Sequence, residues 1–356
     1  MSDSPNSKSL GQRCLRVVLR PDVGPVLALI AVFLAFYAAD LTWGQGKFGT
    51  MRNIRTNLAT ASMIAVPALG MTLIIIAGGI DLSAGTALSL CAAVLAYCLE
   101  SEHSAVVAVL AALLTGLCCG LLNGILISGT RIVPFVVTLG TMSIYLGIGS
   151  IVTDERSIEP SRELIPSWLS ALCSTRGGDY VLGFVPNMPL GVWAAVGLAA
   201  FTGVLLKMTV FGRMIFAVGS NEQTARLCGI NVSLTKIMVY GIAGIFIGAG
   251  ALYSFSYIKQ ATAQDGVGLE LEIIAAVVIG GGSLSGGRGS VVGTLAGAAL
   301  TKFINSGCTQ LGVDAPYQKI ILGSIVIMAV ALDQLRHQPP QWMITLWYQL
   351  RGRMSL

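Results

Sequence analysis

The chain has 356 residues, 54% of them hydrophobic and only 11% charged, against about 25% charged in an ordinary soluble domain. A mean hydropathy of +0.78 leaves too little polar surface to cover a water-exposed globule, which excludes a soluble enzyme and makes lipid the main solvent. The net charge of +5 comes from basic residues scattered singly between apolar stretches, so it reads as membrane orientation and excludes a nucleic-acid-binding surface.

The N-terminus carries Lys8, Arg13, Arg16 and Arg20 ahead of an apolar run at 23–41. That run is too long for a secretory leader and lacks a small-x-small cleavage site, so it reads as an uncleaved first span. A helix crossing the hydrocarbon core needs about 20 apolar residues. The template recurs at 57–77, 84–99, 105–128 and 132–152. After a polar segment it returns at 190–210, 237–257, a short 273–280, 290–306 and 317–332. The runs are continuous and rich in Leu, Ala and Gly, without the alternation of a barrel strand. The fold class is therefore an all-α polytopic transmembrane helix bundle of about ten spans with broken helices.

Orientation follows from Lys and Arg. The tail 1–22, the loop 211–236 (Arg213, Arg226 and Lys236 against Glu222) and the tail 336–356 (Arg336, Arg351, Arg353) are expected in the cytoplasm, with one transmembrane domain at 23–335 between the tails. The acidic segment 153–189 suits the outer side. Lys47, Arg52 and Arg55 dissent, since they fall outside if the first span is a full crossing.

Eight cysteines (14, 91, 98, 118, 119, 173, 228 and 308) lie mostly in apolar runs, where a thiol behaves as a small hydrophobe, and no structural disulfide is expected. His103 and His337 are far apart and no CxxC pair occurs, so no metal, haem or other cofactor is expected. The spans hold no Ser/His, paired-Asp or HExxH constellation, and no catalytic role is assigned.

Glycines recur four apart at Gly116, Gly120 and Gly124, at Gly244 and Gly248, and at Gly293 and Gly297. Such small faces let helix backbones approach, either within one subunit or between subunits. Two glycine-rich breaks resemble each other. IIIAGGIDLSAG (74–85) holds Gly78 and Gly79, and VVIGGGSLSGG (277–287) holds Gly281, Gly282, Gly286 and Gly287. Their likeness hints at a duplicated half. Gly282 and Gly287 have the spacing of a phosphate loop, but Arg288 and Gly289 stand where Lys and Ser/Thr would hold phosphate and Mg²⁺. Energy must then come from another polypeptide.

Asp81 is the most informative acid, because a charge between two spans costs roughly 2.5 to 3.5 kcal/mol at the membrane centre. Two compatible readings stand. Asp81 or Ser83 caps the next helix, or the two line a passage where a broken helix shows backbone groups to a hydrophilic solute. In the loop 211–236, residues 221–227 suit a short helix stopped by Gly229. Ala225 and Gly229, four apart, would give it a small, smooth face for a partner's groove. The other reading is an ordinary solvated loop.

AVGSNEQTARLCGINVSLTKIMVYGIAGIFIGAGAL resembles the cytoplasmic coupling loop of the ABC-type sugar permeases, the ribose, xylose and galactose group of importer membrane subunits. In order along the chain, GMTLIIIAGGIDLSAGTALSL is similar to that family's first signature. ELEIIAAVVIGGGSLSGGRGSVVGTLAGAAL is similar to its glycine-rich second, and LGVDAPYQKIILGSIVIMAVALD to its terminal span. The resemblance covers roughly residues 45–333. It implies that Asn221, Ala225, Arg226, Gly229 and Ile230 form a coupling helix docking on cytoplasmic ABC ATPase subunits, and that Asp81 and Ser83 lie near the translocation path.

It also implies a periplasmic solute-binding protein, a second permease copy or paralogue, and a multi-pass place in the bacterial inner membrane with both termini cytoplasmic. Cys228, where a small polar residue is common, and the segment 160–179 depart from the pattern. The expected function is ATP-driven, binding-protein-dependent import of a monosaccharide or similar polar solute. The alternative is an ion-coupled secondary transporter, which needs buried ion sites; beyond Asp81, Asp40 and Glu100 the spans offer almost none.

Overall fold

The computed structural model describes residues 23–130, 132–174 and 188–337. The expected tail 1–22, most of the tail 336–356, and Cys14, Arg176 and Asp179 lie outside the described residues. The described chain is helical, and the only strand-like pairing within it is an isolated antiparallel bridge between Ile158 and Ala261.

The helices are α1 (Gly24–Trp43), α2 (Met51–Ile76), α3 (Ala84–Glu100), α4 (Ala105–Thr130) and α5 (Pro134–Thr153). After them come α6 (Ser167–Ala171), α7 (Leu190–Met208), α8 (Val210–Ser220), α9 (Glu222–Leu227) and α10 (Val232–Ile258). The last three are α11 (Leu269–Ile279), α12 (Val291–Gln310) and α13 (Ala315–His337). Six of these, α1, α2, α4, α5, α7 and α10, are long and apolar enough to cross a bilayer. The remaining four expected traverses fall on α3, α11, α12 and α13. At 11 residues, α11 extends only about 16 Å and cannot cross alone.

Among the six long helices, burial separates two central posts from the rest. The most apolar stretch of α2 is 89% buried and that of α10 is 72% buried, against 6% for α1. The other long helices turn Leu, Val and Ile side chains outward, as Leu110, Leu114 and Ile125 do on α4, which suits hydrocarbon. The glycine faces resolve in favour of packing within the chain. A Cβ on Gly116 would fall on the Gly244 carbonyl oxygen, and one on Gly120 on the Tyr240 carbonyl oxygen, so α4 and α10 meet backbone to backbone. Gly297 and Gly293 bring α12 onto Ala276 and Gly280 of α11 in the same way.

Asp40 is buried at the end of α1 and explains its place in an apolar run. Its carboxylate accepts from the N–H of Phe48 (2.7 Å) and Gln45 (3.1 Å), closing the turn into α2. Phe48 is thereby set among Phe33, Phe36 and Phe303, at ring-centre distances of 5.4 to 6.2 Å. One element was not expected. The start of the loop 211–236 is helix α8, which buries Gly212, Ile215 and Val218 along one face. Arg213 and the flanking polar residues made it read as loop, although its apolar residues repeat at helical spacing. The seven described cysteines are free thiols.

Close α4–α10 contact predicts an asymmetric response to small substitutions. Gly120→Ala places a methyl against backbone and should cost about 1–3 kcal/mol, lowering the unfolding midpoint of the detergent-purified chain by several degrees. Gly140→Ala on α5, with nothing within 4 Å of the added carbon, should leave the midpoint unchanged. Equal midpoints for the two variants would remove the backbone contact as a stabilising feature.

Candidate functional site

Both glycine-rich breaks close their helices by the same rule. At the end of α2 the N–H groups of Ala77, Gly78 and Gly79 bond to the carbonyls of Leu73, Ile75 and Ile74. At the end of α11 the N–H groups of Gly280, Gly281 and Gly282 bond to those of Ala276, Val278 and Val277. The order is identical, and the middle residue has positive φ in each, +81° at Gly78 and +87° at Gly281, where a side chain would be strained. The same closure ends α3 at Glu102, α9 at Gly229 and α12 at Gly312, so it is this chain's general helix stop and does not distinguish a repeat.

The breaks also meet. The Gly287 N–H donates to the Ile76 carbonyl at 2.8 Å, and Gly286 lies against Gly78. Gly219, in the last turn of α8, is wedged between them; a Cβ there would overlap the Ile76 carbonyl oxygen and press on the Gly287 nitrogen. Three segments distant in sequence thus share one point of backbone contact, three residues before the start of α9.

Past the first break, Asp81 (1% exposed) and Ser83 anchor a buried polar cluster. One Asp81 oxygen accepts from the Ser83 N–H (2.8 Å) and hydroxyl (2.6 Å). The Asn123 amide on α4 donates to the Ser83 hydroxyl at 2.8 Å and reaches Asp81 at 3.5 Å. The Asn123 carbonyl oxygen in turn accepts from Thr141 (2.7 Å) and Tyr145 (3.3 Å) on α5. Thr138 accepts from the Leu82 N–H at 3.1 Å, and the Tyr240 hydroxyl donates to the Ile80 carbonyl at 3.3 Å. Asp81 therefore caps the Ser83 amide, the position just before α3, while the Ser83 side chain turns toward Asn123. In this conformation both residues face α4 and are enclosed.

Hydrogen bonds offset part of the cost of burying the cluster, since an unpaired buried polar group would cost about 1–3 kcal/mol. Asn123, Thr138, Thr141, Tyr145 and Tyr240 were not singled out from the sequence. The signal was present in Asn123, an amide inside the glycine run of a lipid-spanning helix, and in Thr138, Thr141 and Tyr145 at helical spacing on the next span.

The short helix expected at 221–227 is α9. Asn221 caps it by accepting from the Thr224 N–H at 2.8 Å. Gly229, at φ +82°, ends it, with the Gly229 and Ile230 N–H groups bonded back to Arg226 and Ala225. Glu222 pairs with both Arg226 and Lys236 at 2.7 Å. The expected small outward face of Ala225 and Gly229 is corrected. Ala225 is only 3% exposed and packs on Val218 and Val232, with Ile230 beside them, because this methyl is the helix's inward apolar group. Gly229 is open, and the side chain presented outward is Leu227, 88% exposed.

Residues 53–330 match the family model described as branched-chain amino acid transport system / permease component. The chain is 37% identical to the ribose import permease protein of Escherichia coli strain K12 over 293 residues, 81% of this chain and 87% of that one. It is 35% identical to the galactose/methyl galactoside import permease protein of the same strain over 320 residues, 86% of this chain and 94% of that one. The ribose import permease protein of Bacillus subtilis strain 168 is 35% identical over 283 residues, 79% of this chain and 84% of its own. No solved structure gives a significant match.

Hydrogen bonds from Lys236 and Arg226 hold the Glu222 carboxyl below its ordinary range. A depressed carboxyl stabilises the folded loop above its ordinary pKa, and that contribution is lost as pH falls through the lowered value. The pairs are partly exposed, so the effect is small and screened by salt. Glu222→Gln should speed amide exchange at Ala225 and Ile230 several-fold at pH 7, and the two chains should converge as pH falls through the lowered value. Equal exchange at pH 7 would show that the pairs do not order α9.

Proposed function

The chain belongs to this family of transport-system permease components, and from that premise we propose that its cargo is a monosaccharide and that α9 is the element through which it is driven. It is a multi-pass membrane permease subunit of an ATP-driven importer, and not an enzyme. The family places it with importers moved by ABC ATPase subunits and supplied by a solute-binding protein, rather than with ion-coupled transporters. The relatives with which it shares most of its length are named for ribose and galactose import, which favours a sugar over the amino acids in the family's description.

The observation that carries the reading is the contact of Gly219 with both helix breaks. A push on α9 from a cytoplasmic ATPase reaches, within three residues, the point where Ile76, Gly78 and Gly286–Gly287 touch. Rigid spans then carry the displacement to the paired cluster at Asp81 and Ser83, which in this reading lies beside the path and opens when the breaks part. Asn221, Arg226 and Gly229 set the shape of α9, Ala225 and Ile230 seat it on the bundle, and Leu227 is the side chain offered to the ATPase. On this reading the termini and α9 lie in the cytoplasm, the opposite end of the bundle meets the periplasmic binding protein, and a second permease copy or paralogue completes the path.

Two measurements test this. Proteoliposomes holding the chain with its ATPase, given loaded binding protein outside and ATP at the ATPase, should accumulate D-ribose or D-galactose. Equal uptake without ATP would overturn active import, and uptake of leucine alone would overturn the sugar assignment. Leu227→Asp should cut co-purification of the ATPase at least ten-fold with membrane insertion intact, since the side chain touches little of its own subunit. Undiminished co-purification would count against α9 as the docking element.

A further inference from the structure

Helix α10 begins beside α9 and runs 27 residues, about 40 Å, to the other end of the bundle. There the segment that follows α5 meets the loop 259–268 that follows α10. The two are stapled by paired hydrogen bonds, Ile158 N–H to the Ala261 carbonyl and Ala261 N–H to the Ile158 carbonyl, both 3.0 Å. Three of the four described non-glycine residues with positive φ occur at this end: Asp154 (+50°), Glu155 (+55°) and Lys259 (+64°). Backbone held in that region costs about 1–3 kcal/mol per residue and persists where the surrounding structure over-determines it. Thr262 is fixed as well, its N–H and hydroxyl both donating to the Asp265 carboxylate at 2.8 and 2.6 Å.

Between the stapled segments lies a hollow of about 380 Å³. Its wall is Ser150 and Thr153 on the last turn of α5, Ser157, Thr262 and Gln264, with Glu155 and Arg156 also lining it. The Ser150 and Ser157 hydroxyls and the Gln264 carboxamide can donate and accept, while Thr153 and Thr262, which donate to the Ser150 carbonyl and to Asp265, can accept; this mixture matches the vicinal hydroxyls of a sugar, themselves donors and acceptors. The Arg156 guanidinium is paired with Asp154 at 2.7 Å, so the lining of the hollow offers an anionic ligand no free cation. Ala263 alone among the lining residues is apolar, which gives an aliphatic amino-acid side chain little to bury against. The volume lies toward the small end of the range for small-molecule pockets, about 300–1,000 Å³.

We propose that this hollow is a polyol-binding subsite that receives a monosaccharide at the end of the bundle away from α9, before it enters the path. The proposal rests on the reading of the chain as a sugar permease. The test uses the complete importer in proteoliposomes, with whichever of D-ribose and D-galactose the wild type accumulates. Thr153→Val and Gln264→Leu should each lower the maximal uptake rate at least five-fold and leave half-saturation by loaded binding protein unchanged. Thr153→Ser, which keeps the hydroxyl, should restore the rate. Unchanged maximal rates would overturn the subsite. Weaker half-saturation at an unchanged maximal rate would also overturn it, marking the surface as a docking face for the binding protein. Should the buried Thr153→Val prevent insertion, Gln264→Leu on the exposed loop decides the matter alone. A wild type that accumulates leucine and neither sugar would instead sink the cargo assignment, which separates the two failures.

Discussion

Backbone-to-backbone contact at glycine is the constraint on which the structure depends. Between helices in lipid there is no hydrophobic force to gather them, so association has to come from dispersion at close range and from polar pairs. The α4–α10 seam meets that need by removing side chains altogether at Gly116, Gly120, Gly244 and Gly248. The same device closes α11 on α12. What it creates is a stiff centre, with α2 and α10 as posts, around which the outer helices present lipid-compatible surface.

A centre built this way has little tolerance for gradual deformation, and the breaks are where it can change. At Gly78 and Gly281 helical hydrogen bonding stops in the same three-bond pattern, and at Gly286–Gly287 the second break leans on the first through a single backbone bond to Ile76. Next to these breaks lies the polar cluster of Asp81, Ser83 and Asn123. Its hydrogen bonds are directional and buried, so it has one good arrangement and loses much when any member is displaced. On the proposed reading, interlocked glycines that part, beside a polar cluster that holds until they do, would make a unit with two states rather than a continuum.

Much of this was legible in the residues. The spans, the two breaks and the capped helix at 221–227 follow from apolar run length, glycine clusters and the Asn221 to Gly229 interval. Three things were not legible, each for a physical reason. The inward turn of Ala225 depends on which side of a six-residue helix meets Val218 and Val232, and a helix that short fixes no face by periodicity. The polar cluster joins residues on three separate segments, and nothing local marks Asn123 as the partner of Ser83. The short span at 273–280 proved to begin four residues earlier, at Leu269, because Glu272 is neutralised by Lys302 of α12 at 2.7 Å, a pairing across the bundle that makes an acid admissible there.

The two ends of the molecule are joined by α10, and the joint explains why the far loops are held so firmly. At its start α10 carries Lys236, which grips Glu222 of α9; along its length it abuts α4 through glycine, and Tyr240 touches the first break; at its end Lys259 leads into the stapled loop. A rod fixed at so many places moves as one body, so a tilt imposed at α9 is felt 40 Å away without any flexible relay. For that tilt to alter a binding surface, the surface has to be tied to the rod rather than free to relax around it. The Thr262–Asp265 clamp braces the loop that leaves α10, and the Ile158–Ala261 bridge fastens that loop to the segment that leaves α5, so the two walls of the hollow are tied to each other as well as to the rod. On the proposed reading, a tilt of α10 would carry the stapled loops and the hollow between them as one unit, so a solute received there would move with the driving helix.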